Sequence, residues 1–166
     1  MVRLERLRAG HAQSLLAFER ENREFFARSV PDRGDAYFAE FAARHQALLD
    51  EQDCGTIHFH LVLDERGALV GRANLVDVQD GTAEVGYRVG ARAAGRGVAT
   101  AAVAELCRLA AASYGLSSLT AVTTLDNPAS AAVLRKNRFG AVEEITLDGQ
   151  PGVRYLRRLG GSDPVG

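Results

Sequence analysis

The chain has 166 residues, 46% of them apolar and 25% charged, with a formal net charge of −1. That length suits a single domain burying roughly 70% of its unfolded surface, and the apolar residues form no run near the ~20 needed to span a bilayer. A membrane span is therefore not expected, and a near-neutral charge with scattered arginines offers nucleic acid no basic stripe.

Residues 3–8 alternate charged with apolar side chains, as a first strand does. A secretory leader needs an unbroken apolar stretch instead, so the cytoplasm is the expected address. Residues 12–22 place Ala12, Leu15, Leu16 and Phe18 on one helical face. The Pro and Gly within 29–34 mark a loop, and Asp35 is placed to cap a second helix that runs to Glu51 and presents Phe38, Phe41, Leu48 and Leu49. Three β-rich runs follow at 57–63, 68–76 and 82–89, divided by turn residues, and predict an antiparallel meander.

An alanine-rich helix is expected over 98–114, with Val98, Ala102, Leu106, Leu109 and Ala110 as its apolar stripe and Gly115 as its stop. A strand at 119–124, a short helix at 128–137 and a hairpin of 141–146 with 153–159 over Asp148-Gly149 complete the order βααβββαβαββ. A helix between two strands implies a right-handed crossover and locally parallel pairing. The fold class is thus α/β (α+β), a mixed but mostly antiparallel seven-stranded sheet flanked by about four helices. Residues 1–159 read as one domain, and 160–166, rich in glycine, as a loose tail.

Chemistry concentrates where a strand gives way to the alanine-rich helix. Arg92, Ala93, Ala94, Gly95, Arg96, Gly97, Val98, Ala99 and Thr100 combine small residues, two arginines and a helix N-terminus. Unpaired amides and the positive helix end favour an anion there, and glycine lets it approach the backbone. A ligand-free glycine-rich connection is the plain alternative. Walker-type and dinucleotide-binding loops need patterns that are absent.

With its strand and helix, this segment resembles the GNAT superfamily of coenzyme A-dependent N-acyltransferases, whose Arg/Gln-x-x-Gly-x-Gly/Ala signature matches Arg92 to Gly97. Element order extends the resemblance over about residues 3–158, most specifically over 84–139. Glu84-Val85-Gly86-Tyr87-Arg88-Val89 and Asn127-Pro128-Ala129-Ser130 look like the Rim-type branch, which acetylates protein N-termini and related amines. The resemblance implies acetyl-coenzyme A as acyl donor, its pantetheine arm beside the backbone of Tyr87 to Val89 and its pyrophosphate on Gly95, Gly97 and their neighbours.

It also implies a base carboxylate at Glu84, which strand alternation puts on one face with Gly86 and Arg88; a solvated or Arg88-paired carboxylate is the alternative. A backbone amide near residues 85–87 is implied as the donor that polarises the thioester carbonyl. Ser130 falls where Rim-type enzymes place a serine near the coenzyme sulfur, and Asn127 with Pro128 and Ser130 also reads as a helix cap. Leu134 stands where other branches have an acidic tyrosine, and Arg138 where the family usually has glycine, at a cost on the order of 1 kcal/mol if it turns left-handed; Asn137 is the alternative bearer of that conformation.

The acceptor is expected to be an amine. An N-terminal amine of pKa ~7.7 is available as the neutral form in roughly a fifth of molecules near pH 7, whereas a lysine of pKa ~10.4 is neutral in ~0.1% or less, which favours the α-amine. A polyamine, an amino sugar and a non-catalytic acyl-coenzyme A sensor are the alternatives, and association into a homodimer is open. Phe25, Phe26 and Tyr37 are candidates for core or for the acceptor pocket. His58 and His60 share a strand face without a third ligand at a recognisable spacing, so no metal is expected. Cys54 and Cys107 are read as reduced thiols, the latter as a small buried hydrophobe. Arg154, Arg157 and Arg158 are read as charges protecting an edge strand.

Overall fold

A computed structural model describes residues 2–160; all of the expected tail except Gly160 lies outside the described residues. The chain runs β1 (Arg3–Arg6), α1 (Ala12–Glu21), α2 (Arg23–Ala27), α3 (Asp35–Ala39), α4 (Phe41–Asp53), β2 (His58–Leu63), β3 (Leu69–Gln79), β4 (Thr82–Val89), α5 (Val98–Ala112), β5 (Ser118–Thr124), α6 (Pro128–Lys136), β6 (Gly140–Leu147) and β7 (Gln150–Arg158). Single 3-10 turns cover Ala9–His11 and Ala91–Ala93.

All seven strands form one sheet in the order β1-β2-β3-β4-β5-β7-β6. Only β4 and β5 pair in parallel, joined by the α5 crossover, and every other neighbour is antiparallel. The tight turns have the residues that their geometry needs: Asp80-Gly81 and Asp148-Gly149 both hold two successive positive φ angles, as a type I′ hairpin requires.

Among the described residues six helices stand where about four were expected. The first ends at Glu21 because Asn22 turns its amide back onto the Phe18 carbonyl (2.9 Å) and the chain restarts as α2. The second breaks at Glu40, φ −101° and ψ 17°, into α3 and α4. That break lets Tyr37 meet both Phe38 and Phe41 edge to ring, at 5.1 and 5.7 Å between centroids. Neither break involves Pro or Gly, so packing sets it rather than a local signal.

The sheet separates two cores. On one face α5 and α6 pack through Val103, Leu106 and Leu134 onto Leu75, Val85 and Leu119. On the other, α1 to α4 pack through Leu15, Phe18, Phe26, Tyr37 and Phe41 onto Phe59, Leu61 and Leu63. Each such side chain, when fully buried, contributes about 1.5–3 kcal/mol. Among the described residues no helix is long and apolar enough to cross a membrane.

Candidate active site

The site begins where a strand pair opens. β4 and β5 are in register only at Thr82↔Ser118, Ala83↔Leu119 and Glu84↔Thr120. Beyond that point β4 continues to Val89 on β3, and β5 to Thr124 on β7. The two strands therefore diverge, and residues 85–89 and 121–124 face each other across a slot with no ladder between them. Strand geometry turns alternate backbone N–H and C=O groups into such a slot, and they need partners. An extended ligand carrying amides of its own meets that need.

The glycine-rich turn stands at the wide end of the slot. Gly95 (φ 75°) and Gly97 (φ 76°) are left-handed, and a Cβ at either would meet nothing within 4 Å. Glycine is required here by backbone angle, and the space around it is open to a ligand. The α5 ladder starts with the Ala101 amide donating to the Gly97 carbonyl at 3.1 Å. The amides of Gly95, Arg96, Gly97, Val98, Ala99 and Thr100 have no acceptor among the described residues. Arg92, Ala94, Gly95, Arg96 and Gly97 are exposed, and Val98, Ala99 and Thr100 half-buried. Arg92 is tied to Glu21 at 2.7 Å, so its charge is partly matched by the protein itself.

Two buried asparagines brace this turn, a role that the sequence does not announce for either. Asn22 accepts from the Ala91 amide (2.9 Å) at its start, and Asn137 donates to the Thr100 carbonyl (3.1 Å) in the first turn of α5. Gly90, which was not singled out from sequence, lets α1 approach: a Cβ there would stand 2.9 Å from Phe18 and 3.0 Å from Asn22. All three contacts join elements far apart in sequence, and no local pattern announces them.

The residues expected to act divide between the two faces of β4. Tyr87 points towards α6, where its phenol oxygen lies 3.1 Å from Ser130 Oγ. Burial raises the Tyr87 phenol above its ordinary pKa, with the Ser130 bond opposing. The Ser130 amide donates to Asn127 Oδ1 (3.1 Å), with Pro128 opening the helix. Asn127 is therefore the cap, and the serine hydroxyl remains available to Tyr87. Leu134 is buried in the core at 1% exposure.

Glu84 is half-buried, and burial pushes its carboxyl above the ordinary range; the Asp77 charge adds to this and Arg154 opposes it. Arg88 does not pair with Glu84. It turns to Glu19 of α1 (3.8 Å) and stacks over Phe26 at 4.9 Å. Glu19, 1% exposed, also holds Arg72 at 2.8 Å and was not singled out from sequence.

Other sequence readings resolve structurally. His58 stacks on Tyr114 (3.7 Å, 6°), and His60 bonds the Tyr114 hydroxyl (2.6 Å) and the Ala73 carbonyl (3.2 Å). Both rings are thus engaged by protein, and no group of metal-ligating side chains occurs among the described residues. Cys107 is buried, and burial raises its thiol pKa. β7 is not an edge strand: it lies between β5 and β6, so the reading of its arginines as edge protection is overturned. Arg154 instead pairs with Glu143, and Arg157 donates to the Asn137 carbonyl (3.0 Å). Arg138 itself takes the left-handed conformation (φ 67°) while Asn137 does not (φ −96°), because the Asn137 side chain is committed to α5. Phe26 and Tyr37 are core residues at 8% exposure each.

A parallel strand pair splayed beside a glycine turn with open amides forms a cradle for an extended ligand that carries amides of its own and an anionic end. The family described as acetyltransferase (GNAT) domain matches residues 2–140, and the chain belongs to it; its acyl donor is acetyl-coenzyme A. A comparison with curated proteins gives no match.

Among solved structures, the ribosomal-protein-S5-alanine acetyltransferase of Vibrio fischeri superposes with a TM-score of 0.87 at 17% identity, covering 95% of this chain and 92% of that one. RimJ of Mycobacterium smegmatis, in complex with a coenzyme A disulfide, gives 0.83 at 20% identity over 95% and 81%. The spermidine N-acetyltransferase of Vibrio cholerae, in complex with coenzyme A and spermine, gives 0.78 at 14% identity over 95% of each chain. At these identities the likeness is one of fold.

Proposed function

We propose that residues 1–159 act as one domain that acetylates the N-terminal α-amine of a protein or peptide by direct transfer, in the manner of the Rim-type branch. The observation that carries this reading is the slot between β4 and β5 ending on the open amides of the glycine turn. Pantetheine would lie along Tyr87 to Val89, and the pyrophosphate against residues 94–100 with Arg92 and Arg96 beside it. The thioester then reaches the narrow end of the slot, between Glu84 and Ser130.

The amine must be neutral to attack. Glu84 takes its proton directly or through a water, and its raised pKa brings it closer to that of an α-amine, as a general base requires. The nitrogen forms a bond to the thioester carbonyl carbon, whose oxygen accepts from a backbone amide of residues 85–87. The C–S bond breaks, the nitrogen gives its second proton to solvent, and the departing thiolate takes a proton relayed through Ser130 from Tyr87 across their 3.1 Å hydrogen bond, after which Tyr87 is reprotonated from solvent. Burial of Cys107 gives no support to a covalent acetyl-cysteine, so direct attack is preferred.

Incubation with acetyl-coenzyme A and a panel of peptides, polyamines and aminoglycosides, with free thiol followed, tests the reading. Thiol release with peptides is expected. Release with polyamines alone would make the acceptor a small amine, and tight coenzyme A binding with no release from any acceptor would make the chain a sensor.

A further inference from the structure

Next to the acceptor face of β4 the protein holds more positive charge than it neutralises. Arg72 of β3, Arg88 of β4 and Arg33 of the loop before α3 stand close enough to perturb one another. One buried carboxylate, Glu19, serves the first two at 2.8 and 3.8 Å. Neighbouring acids are taken: Asp32 and Asp35 hold Arg23 at 2.8 Å each, and Glu40 holds Arg44 at 3.6 Å.

Arg33 has no carboxylate partner among the described residues. Its guanidinium lies over Tyr37 at 4.6 Å, and its Nε is buried with no hydrogen-bond partner. The Nε of Arg72, a residue 9% exposed, is likewise buried and unpaired. Arg88 titrates at about 10, lowered first by burial and then by Arg33 and Arg72, against the opposing pull of Glu19. Buried guanidinium without a matching anion is costly, and this cluster opens on a crevice of about 10 Å³ whose charged lining sets Arg23, Arg33 and Arg88 against Glu19 and Asp32, with Asp32 already held by Arg23. That is room for about one water-sized group, the size of a carboxylate oxygen.

We propose that the acceptor is an acidic peptide, whose Asp or Glu side chain at the second or third residue is bound by Arg33 and Arg88. This rests on the peptide-acetylating reading above. Arg88 follows Glu84 by four residues on one face of the strand, about 13 Å at ~3.3 Å per residue. The free carboxylate of an amino acid lies within about 4 Å of its own amine and cannot bridge that span, whereas a side chain one or two residues along a peptide can. A cationic polyamine meets the wrong sign of charge.

The test pairs turnover with binding, on peptides Ser-Asp-Ala-Ala, Ser-Ala-Asp-Ala, Ser-Lys-Ala-Ala and Ser-Ala-Ala-Ala, with free aspartate as control. One of the acidic peptides is expected to exceed the lysine peptide in kcat/KM by roughly tenfold, as a charge-assisted contact in a half-buried site gives. Arg33→Gln is the variant of choice because it strands no carboxylate, unlike loss of Arg72 or Arg88. It should bring the acidic-to-basic ratio close to one with unchanged coenzyme A affinity, and Arg33→Lys should restore part of the ratio.

Calorimetric titration of the coenzyme A-loaded protein with the same peptides is the second arm. Equal binding of acidic and basic peptides, or a preference untouched by Arg33→Gln, overturns the proposal. If no peptide releases thiol yet the acidic one still binds more tightly through Arg33, the acetylation reading falls and the anion site stands.

Discussion

Ser130 is fixed from two directions, by its amide on Asn127 and by its hydroxyl on Tyr87. The two bonds make different demands on a substitution. Ser130→Ala keeps the amide cap and loses the hydroxyl, so the expected result is a fall in kcat of about 100-fold, within the usual worth of a positioned proton donor, with coenzyme A affinity preserved. Tyr87→Phe should fall less, because Ser130 keeps one proton to give. Steady-state kinetics beside calorimetry separate the two, and a Ser130→Ala enzyme as fast as the parent removes the serine from the mechanism.

Glu84 permits a test by pH. Burial and the Asp77 charge raise its carboxyl, and only the ionised form accepts a proton. Activity should therefore rise with pH through an acid limb lying above the ordinary ~4.3 of glutamate. Asp77→Asn removes a repelling charge and should move that limb down, while Glu84→Gln should abolish it; a kcat/KM profile unmoved by either change assigns the limb elsewhere. The placement of Glu84 on β4 and of Ser130 in the α6 cap was legible because a strand pattern and a capping pattern announce them locally, while their roles came from the family resemblance and belong to the proposal. Asn22, Asn137, Glu19 and Arg33 were not legible, because each acts through a partner in a distant element.

At the scale of the element, the glycine turn and the helix behind it form one unit, and the turn was the most legible feature of the chain. Its angles follow from its residues: with two glycines at φ 75° and 76°, the amides of residues 95–100 are left without an acceptor among the described residues. Gly95→Glu adds bulk and negative charge where a pyrophosphate is expected, and should weaken coenzyme A binding more than 100-fold, over 2.7 kcal/mol. Gly95→Ala has the same backbone strain, about 1–2 kcal/mol, without the charge. It controls for the fold, and unchanged coenzyme A affinity in the glutamate variant by calorimetry would remove the turn from the site. The helices of residues 12–53 were less legible. Their breaks at Asn22 and Glu40 come from a side chain returning to its own helix and from aromatic rings meeting, and neither leaves a Pro or Gly to read.

Across the whole molecule, strand number, sequential order and the parallel β4–β5 pairing followed from the crossover helix and the turn residues. The insertion of β7 between β5 and β6 did not, because a hairpin shows that two strands pair without showing which of them joins the sheet. The same sheet ties its stability to pH through His60. The Ala73 carbonyl can only accept, so Nδ1 carries the proton and Nε2 accepts from the Tyr114 hydroxyl. A second proton would break that bond inside a core where the residue is 1% exposed, and burial accordingly lowers His60 to about 4.

An unfolded histidine titrates near 6.5. Between these values the unfolded chain binds the extra proton and the folded one does not, so stability is lost as pH falls through this window. The contribution is complete above ~6.5 and gone below ~4, about 3 kcal/mol in all. Carboxylates add their own losses over the same range, so the measurement must be a difference. His60→Gln should be less stable at pH 7, from the lost Tyr114 and Ala73 bonds, yet its urea midpoint should decline less steeply than the parent's between pH 6.5 and 4. Parallel curves for the two proteins would mean that the His60 proton is not coupled to folding.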